Sequence, residues 1–461
     1  MVREAMTRSS IEYKDISERY ILEEEDYKDC FQRQYFHIYT TRLEQLKPRV
    51  LAAAEHEIGK GKFKYQLLEA AHKEEEIFVI GIIEKRISQR PSILKARDEL
   101  NEIADDEHIL PDAEEETDSN ELLNLVSSED FLELEDEKQI VKIEGGLGMD
   151  DVATGCVVGL LGYQVKSNVF HVSRVIYPCF PRPQSPLSSL DSSPIIAFVS
   201  GLDIAGDRTD DAMCTDFLLM SKWLCGEMSL SEEDENLAAR VTRLVIGGES
   251  VTSKMADGLN STIRYLTLRR QDHNPSVEAL QTFDKLVCNL VGKICVDVMP
   301  GIGDPAIQLF PQQPVHKIAL PHAGFAGKAL HLTTNPYNFT LGDRELLVTS
   351  GQNASDIRRL SGVKSGCDIL SLFLKWNLLA PTFPDTVDGF PFIDRDPALM
   401  GSIPHIFVAT NQPSAEHRMW KSKTSDESCL LLSVPRFSKT RMLTLVDVNT
   451  REVTYKVFGT P

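Results

Sequence analysis

A proline-rich stretch near the middle of the chain constrains the fold more than any other feature of the sequence. Residues 178–194, PCFPRPQSPLSSLDSSP, contain five prolines. Proline has no backbone N–H donor and fixes φ, so neither a helix nor an interior strand passes readily through such a stretch. We therefore predict an inter-domain linker at residues 179–194, in a chain of 461 residues that is long enough for two or three domains.

Upstream of the linker, a helical pattern gives way to short strands. Within residues 1–56, Tyr39, Leu43 and Leu46 recur at helical spacing, which predicts an N-terminal helical segment. Residues 57–178 then contain several short apolar runs separated by glycines, a pattern typical of a small β-barrel with the OB-fold. The predicted strands are IFVIGII (77–83), QIVKIEG (139–145), GCVVGLLGYQV (155–165) and NVFHVSRVIYP (168–178).

The acidity of the chain is concentrated within this barrel region. Residues 101–137 hold sixteen Asp or Glu and no Lys or Arg, so the rest of the chain carries only about −4 of the net charge (−20 + 16). We interpret residues 101–128 as a solvated insertion, with an acidic docking segment as the alternative. The chain also lacks the basic excess of a protein that holds nucleic acid by itself.

The apolar segments and the cysteines indicate the kind of cellular compartment in which the chain folds. No apolar run approaches eighteen residues and the first residues lack an apolar secretory core, so we expect no membrane association. Nine scattered cysteines without a C-x-x-C pair favour reduced, structural thiols.

Downstream of the linker, strands and helices alternate at first and hairpin-like strands follow. This order predicts that residues 195–461 form a layered β-sandwich with helices outside. The predicted helices are 214–227 and 276–293, the second with Asn274 as its cap. The predicted strands are 195–199, 241–248, 295–299, 345–350, 405–410, 430–437, 442–448 and 452–458.

One strand and its loop, VDVMPGIGDP (296–305), have the frame of a metallophosphoesterase motif, P-G-N-H-D or P-G-N-H-E. Two-metal phosphoesterases need carboxylate and imidazole ligands on successive strand-end loops. At five such loops this sequence lacks the expected aspartate and histidine, which predicts a site without metal, cofactor or catalysis. The degenerate positions are Ser200, Leu202, Gly248, Ile302, Gly303, Ser350, Asn411 and Pro413.

Two other groups of polar residues are weaker candidates for metal ligands. The string GDRTD (206–210) matches a phosphoesterase motif but lies in the wrong loop, and its acids could gather only one loosely held ion; these are Asp203, Asp207, Asp210 and Asp211. A second group, His316, His322 and His331, has no known ligand spacing, and we expect ordinary polar or core histidines.

Longer strings carry a more specific resemblance. An OB-like barrel, a linker and a degenerate phosphoesterase domain, in that order, resemble the B-subunits of eukaryotic replicative DNA polymerases. Within that family the strings are similar to the small, or second, subunits of the polymerase delta type. The most distinctive strings are TSGQNASDI (349–357) and PDTVDGFPF (384–392), with FQRQYFHIYTTRL (31–43), RPSIL (90–94), SGLDIAG (200–206), FPQQPVHKIALP (310–321) and TNPYNF (334–339) in support.

The resemblance implies an α+β multidomain chain, with an OB-fold barrel and an inactive calcineurin-like phosphoesterase sandwich flanked by helices. It implies a non-catalytic scaffold in the nucleus, acting in DNA replication and repair. The implied partners are the cysteine-rich C-terminal module of the polymerase delta catalytic subunit, the third, clamp-binding subunit, and the catalytic subunit of polymerase zeta. Contact with DNA is expected only through the complex, and no contact residues are transferred.

Three alternatives to this role stay open. One is an active metal-dependent phosphodiesterase or nuclease that uses acids such as Asp207, Asp210 and Asp304. Another is a B-subunit of a different B-family polymerase. The third is an independent single-strand-binding OB protein, for which the sequence offers only a few cations near the first barrel strand, namely Lys85, Arg86, Arg90, Lys95 and Arg97.

Overall fold

The computed structural model describes most of the chain. The described residues are 8, 10–70, 75–89, 124–166, 168–188, 193–206, 211–252, 275–325, 327–422 and 425–459. Most of the predicted acidic insertion lies outside them, as do Arg90, Lys95, Arg97, Asp207, Asp210 and Asn274.

A closed five-stranded barrel occupies the region in which we predicted one. Its strands follow the order β2-β3-β4-β6-β5, in which β4 and β6 are parallel and the other pairs antiparallel. The strands are β2 (Ile77–Arg86), β3 (Phe131–Glu135), β4 (Ile140–Gly145), β5 (Val157–Lys166) and β6 (Val169–Ile176).

One barrel strand, β3, was missing from the sequence prediction. It lies inside the acidic stretch that ends at Glu137, where the charge conceals its alternation of Leu and Glu. Leu132 and Leu134 are buried inside the barrel, whereas Glu135 is exposed. Because strand residues alternate between faces, a strand can carry many acids and still fill a core.

Residues 195–459 contribute to two six-stranded sheets. The first sheet has the order β10-β9-β8-β7-β16-β17 and the second has the order β1-β11-β12-β13-β15-β14. The strands of the first sheet are β7 (Ile195–Val199), β8 (Val241–Gly247), β9 (Cys295–Met299), β10 (Leu330–Leu332), β16 (Met442–Asp447) and β17 (Val453–Val457). Those of the second are β1 (Tyr13–Asp15), β11 (Tyr337–Leu341), β12 (Arg344–Thr349), β13 (Ile406–Gln412), β14 (Glu416–Lys421) and β15 (Ser428–Pro435).

The two sheets share one buried apolar cluster and each has helices on its other side. Phe198 and Val245 of the first sheet pack in this cluster with Phe339 and Val408 of the second. The outer helices of the first sheet are α3 (Asp211–Leu224), α4 (Glu232–Arg240) and α5 (Pro275–Val291). Those of the second are α6 (Gln352–Leu360) and α7 (Gly366–Trp376), and a short helix, α8 (Phe437–Thr440), precedes β16.

The N-terminal region differs from its prediction as a purely helical segment. It forms a short helix α1 (Glu24–Tyr27) and a long helix α2 (Phe36–Glu57), but it also supplies β1. Strand β1 pairs antiparallel with β11, with Lys14 opposite Thr340. A three-residue strand has too few side chains to show a period, so it was found only from its partner.

The barrel and the second sheet share a single apolar core. Phe78 and Leu160 of the barrel belong to the same buried cluster as Phe373 of α7 and Phe407 of β13. A shared apolar core of this kind restrains movement of the barrel relative to the sandwich. Residues of the predicted linker also pack on the sandwich, where the Gln184 side chain donates to the carbonyl oxygens of Ile403, Pro404 and Ser428.

The guanidinium of Arg42 joins three regions of the chain at this interface. Arg42 lies on α2, is fully buried, and its Nε donates to Asp396 Oδ2 at 2.6 Å. Its Nη atoms donate to three backbone carbonyls, Gly155 in the barrel and Pro381 and Phe383 in the sandwich, at 3.3, 2.7 and 2.8 Å. Gly155 must be glycine, because its φ is +87° and a Cβ there would lie 2.5 Å from Arg42 Nη1.

We predict that Arg42→Met lowers the free energy of unfolding by about 3–5 kcal/mol, because Asp396 would remain buried without its cation. Urea unfolding of the full chain measures this change. Lys47→Met on the same helix is the matched control; its pair with Glu137 is solvent-exposed, so its loss should cost about 1 kcal/mol or less. An Arg42→Met protein as stable as the control would contradict this role.

Candidate functional site

Five strand-end loops meet at one edge of the sandwich. Strands β7, β8 and β9 run parallel, as do β12 and β13, so their carboxyl ends lie at the same edge of their sheets. Gly201 N donates to Gly248 O at 3.0 Å, which links the first two loops. A Cβ at Gly248 would lie 2.9 Å from Gly301 N, so the third loop packs directly against the second. The loops singled out from the sequence therefore lie next to one another.

The polar groups at the predicted positions hold these loops together. The Asn411 amide donates to Gly247 O and Ser350 O, both at 2.9 Å, and its backbone N–H donates to Ser200 Oγ at 3.0 Å. Ser350 Oγ accepts a hydrogen bond from Asn335 Nδ2 at 2.6 Å. These side chains therefore act as crosslinks between strand ends.

The remaining predicted positions contribute shape. Leu202 is 1% exposed and belongs to the core outside the first sheet. Ile302 is half exposed at the tip of its loop, and Gly303 lies beneath Glu249, whose Oε2 is 2.8 Å from where a Cβ would stand. Pro413 lines the cleft that lies between the loops.

Two carboxylates in these loops, the partly buried Glu249 and the buried Asp304, bind backbone N–H groups. Glu249 accepts from Ile302 and Gly303 at 2.8 and 3.2 Å. Asp304 accepts from Gly301, Ser250 and Val251 at 2.8, 2.9 and 3.0 Å. Burial raises the pKa of Glu249 and raises that of Asp304 to about 7. Sequence reasoning missed Glu249, although an acid directly after Gly247-Gly248 was the available signal.

A guanidinium lies beside these acids. Arg436 Nη1 contacts Asp203 Oδ1 at 2.6 Å, and Ser438 Oγ donates to Asp203 Oδ2 at 2.5 Å. The positive charge of Arg436 also lowers the pKa of Glu249 and so partly offsets the effect of its burial. Within the described ranges, no group of three or more His, Cys, Asp or Glu is arranged to hold a metal ion.

The three histidines considered as ligands have separate structural roles. His316 Nδ1 accepts the backbone N–H of Ile318 at 3.3 Å. His322 Nδ1 lies 2.6 Å from Asp284 Oδ2. His331 packs edge-on against Tyr13, with ring centroids 5.0 Å apart.

An open cleft of about 530 Å³ lies between the loops. We call it the strand-end cleft. It is lined by residues 350–352 and 411–413, by Glu249 and Ile302, by residues 355, 356, 358 and 359 of α6, by Gln308 and residues 386–388, and by Arg436, Lys439 and Thr440.

The barrel cations named for nucleic-acid binding are already engaged where the structure describes them. Lys85 is 6% exposed, and its Nζ donates to Met149 O and Leu360 O at 3.0 and 2.8 Å. Arg86 pairs with Glu84 and Glu133 at 2.7 and 2.8 Å. Lys85 is therefore not placed to bind a phosphate backbone, whereas Arg86 is exposed and has its charge offset by the two glutamates. No helix in the described part of the chain has the length and apolar character to cross a membrane.

Comparisons with known proteins cover almost the whole chain. Residues 34–175 match the family described as DNA polymerase delta subunit OB-fold domain, which confirms the OB-fold prediction, and residues 196–417 match the family of DNA polymerase alpha/epsilon B-subunits. A Caenorhabditis elegans protein named probable DNA polymerase delta small subunit is 41% identical over 455 residues, 97% of each chain. DNA polymerase delta subunit 2 of Drosophila melanogaster is 30% identical over 96% of each chain. The DNA polymerase delta small subunit of Saccharomyces cerevisiae is 27% identical over 91% of this chain and 88% of its own.

We predict that Asp304 makes stability depend on pH. Its native pKa of about 7 exceeds its ordinary value of 3.8, so the native chain holds the Asp304 proton more tightly than the unfolded chain does. This contribution to the free energy of unfolding is therefore full below about pH 4 and is lost as the pH rises through 7. Urea unfolding of the parent chain and of Asp304→Asn at pH 5 and pH 8 measures it.

The difference in unfolding free energy between these two proteins should be larger at pH 5, by at least about 1 kcal/mol. Titrating groups that do not interact with Asp304 contribute equally to both proteins and cancel in the difference, whereas Glu249 is coupled to Asp304 and belongs to the measured effect. An equal difference at both pH values would show that Asp304 keeps an ordinary pKa.

Proposed function

This chain belongs to the family of DNA polymerase delta small subunits, and we propose that it is the non-catalytic scaffold that bridges the other subunits of that complex. It is an accessory subunit, and the catalytic activity of the complex lies in another chain. The single observation that carries the scaffold proposal is the continuous core between barrel and sandwich. A bridging subunit can hold its partners in a fixed relative position only if its own two domains are rigidly joined.

We propose that the sandwich is a calcineurin-like phosphoesterase domain that has lost its metal ions. The arrangement of the strand-end loops supports this idea, because their polar atoms bind one another. Asn411 spans two strand ends, Asp304 binds three backbone N–H groups, and Arg436 supplies positive charge beside Glu249 and Asp203. Held by these hydrogen bonds, the loops would keep the shape of such a site without its ligands.

We propose the following domain boundaries: an N-terminal segment at 1–56, the OB-fold domain at 57–178, the linker at 179–194 and the phosphoesterase-like domain at 195–461. Strand β1 crosses these boundaries, because it completes a sheet of the last domain. The N-terminal segment therefore ties together two domains that the sequence separates.

The proposed partners are the cysteine-rich C-terminal module of the polymerase delta catalytic subunit and the third, clamp-binding subunit. The polymerase zeta catalytic subunit is a further proposed partner. Relatives named as subunits of a DNA replication polymerase imply action in the nucleus, and we propose nuclear localisation together with a role in DNA repair. The burial of Lys85 supports the proposal that the chain contacts DNA only through the complex.

Affinity purification of the tagged chain from its own cells in mild salt tests the scaffold role, with stoichiometry measured by mass spectrometry. We expect a large polymerase chain and a third subunit in near-equimolar amounts. Recovery of a different B-family polymerase would assign the chain to that complex instead. Recovery of the chain alone would contradict the scaffold.

A hydrolysis assay separates the scaffold from the alternative of an active phosphodiesterase. The purified full chain should hydrolyse bis(4-nitrophenyl) phosphate with manganese no faster than Glu249→Gln does. Glu249 is an acid that lines the cleft and lies against the loop that contains Asp304. If the cleft bound manganese for catalysis, replacing this carboxylate should lower the rate, so the variant is the matched control. If the parent chain hydrolysed the substrate with manganese and Glu249→Gln did not, the chain would be an active phosphodiesterase. This conclusion would hold whichever proteins the affinity purification recovered.

A further inference from the structure

The α6 helix begins at the strand-end cleft without a side chain to cap it. Its N-cap is Gly351, whose φ of +86° suits glycine, and no side chain accepts a hydrogen bond from the first turn. Gly351 and the first helical residue, Gln352, both line the cleft. The first turn of a helix has N–H groups with no partner in the helix and a partial positive charge, which favour an anion.

A buried guanidinium on the same helix, that of Arg358, has one nitrogen without a hydrogen-bond partner among the described residues. Arg358 is 7% exposed, its Nε donates to Lys364 O at 3.0 Å, and its Nη2 donates to Gln412 Oε1 at 2.6 Å. Its Nη1 is buried and has no hydrogen-bond partner in the described part of the chain, as is also true of an acceptor on another cleft residue, Asn411 Oδ1. Arg358 lines the cleft and takes part in none of the ion pairs found among the described residues.

The charge of this donor is therefore incompletely compensated by the protein. Glu416 lies close enough to affect Arg358 electrostatically, but its carboxylate accepts hydrogen bonds from Ser365, Ser414 and Cys367. A buried charge without a full set of partners is costly. An anion from solution could provide the missing partner.

Other cleft residues favour the same kind of ligand. Lys439 is exposed on the cleft wall, near Arg436. Two of the three acids that line the cleft are already occupied. Asp356 accepts from Arg359, Thr382 and Thr386, and Glu249 accepts backbone N–H groups. Asp388 is exposed to solvent, where its charge is screened.

We propose that the strand-end cleft binds the phosphate group of a small anion without hydrolysing it. The first turn of α6 and Arg358 would hold the phosphate oxygens, with Lys439 as a solvent-exposed cation at the wall. A volume of about 530 Å³ exceeds what inorganic phosphate needs and lies within the range of pockets for small molecules, so a nucleotide also fits. This inference does not rest on the bridging role.

Isothermal titration of the full chain with inorganic phosphate, at constant ionic strength, tests the site. We expect saturable binding that Ser355→Asp weakens at least about tenfold, equivalent to about 1.4 kcal/mol. Ser355 lies one turn into α6 and lines the cleft, so the new carboxylate would occupy the electropositive end of the helix. An acid there also favours the helix, so loss of binding with an unchanged melting temperature cannot be attributed to unfolding. Ser355→Ala is the matched control and should bind as the parent chain does.

A charge reversal on the wall provides a second, independent test. Lys439→Glu should weaken phosphate binding several-fold, whereas Lys222→Glu should not. Lys222 is an exposed lysine on α3, outside the cleft, and serves as the matched control for total charge.

The source of the phosphate is distinguished by a parallel titration with deoxythymidine monophosphate. Equal affinity for the two probes indicates a site for phosphate alone, and a nucleotide affinity at least about tenfold higher indicates a nucleotide site. Absence of saturable binding of both probes would overturn the proposal. Binding that Ser355→Asp and Lys439→Glu leave unchanged would overturn it equally, because the anion would then lie elsewhere.

Discussion

The buried guanidinium of Arg42 holds together the architecture on which every other feature depends. One side chain on α2 binds a carboxylate and three backbone carbonyls drawn from the barrel and the sandwich. A charge in this position is stable only while all its acceptors stay in place. Any movement of the barrel against the sandwich would break several of these bonds at once. The apolar cluster stabilises the interface by burying nonpolar surface, which does not depend on orientation. The hydrogen bonds of Arg42 are directional and therefore fix the orientation of the barrel relative to the sandwich.

At the edge of the sandwich, polar side chains form hydrogen bonds between the strand-end loops and so maintain the shape of the cleft. The loops at the strand ends remain packed against one another at Gly248 and Gly301. Glu249 and Asp304 bind backbone N–H groups, and Asn411 donates to backbone carbonyls. Hydrogen bonds within the loops thus hold them in position, a task that bound ions perform in a metal centre. Not every polar atom at this edge is used: among the described residues, Arg358 Nη1 and Asn411 Oδ1 are buried without a hydrogen-bond partner.

The helices and strands that were predicted correctly from the sequence are those whose hydrophobic pattern is long or regular. Strands such as β7 and β9 are short apolar runs next to glycine or proline, and helix α5 spans several turns, so these were predicted near their observed bounds. Strand β3 was missed because its outward residues are glutamates within a longer acidic stretch. Strand β1 was missed because three residues show no period, and α6 was missed because its buried face includes polar residues such as Asn353 and Arg358.

The sequence by itself determined the order of the domains, the family and the five loops whose expected ligands are missing. These features could be read from the sequence because each strand end, linker or distinctive string lies within one short contiguous stretch of the chain. The tertiary structure decided which groups bind in place of those ligands. Glu249, Asp304 and Arg436 come from separate loops, and Arg42 meets its acceptors between 113 and 354 residues further along the chain. Such contacts depend on how the layers pack, and no pattern within a short stretch of sequence records that packing.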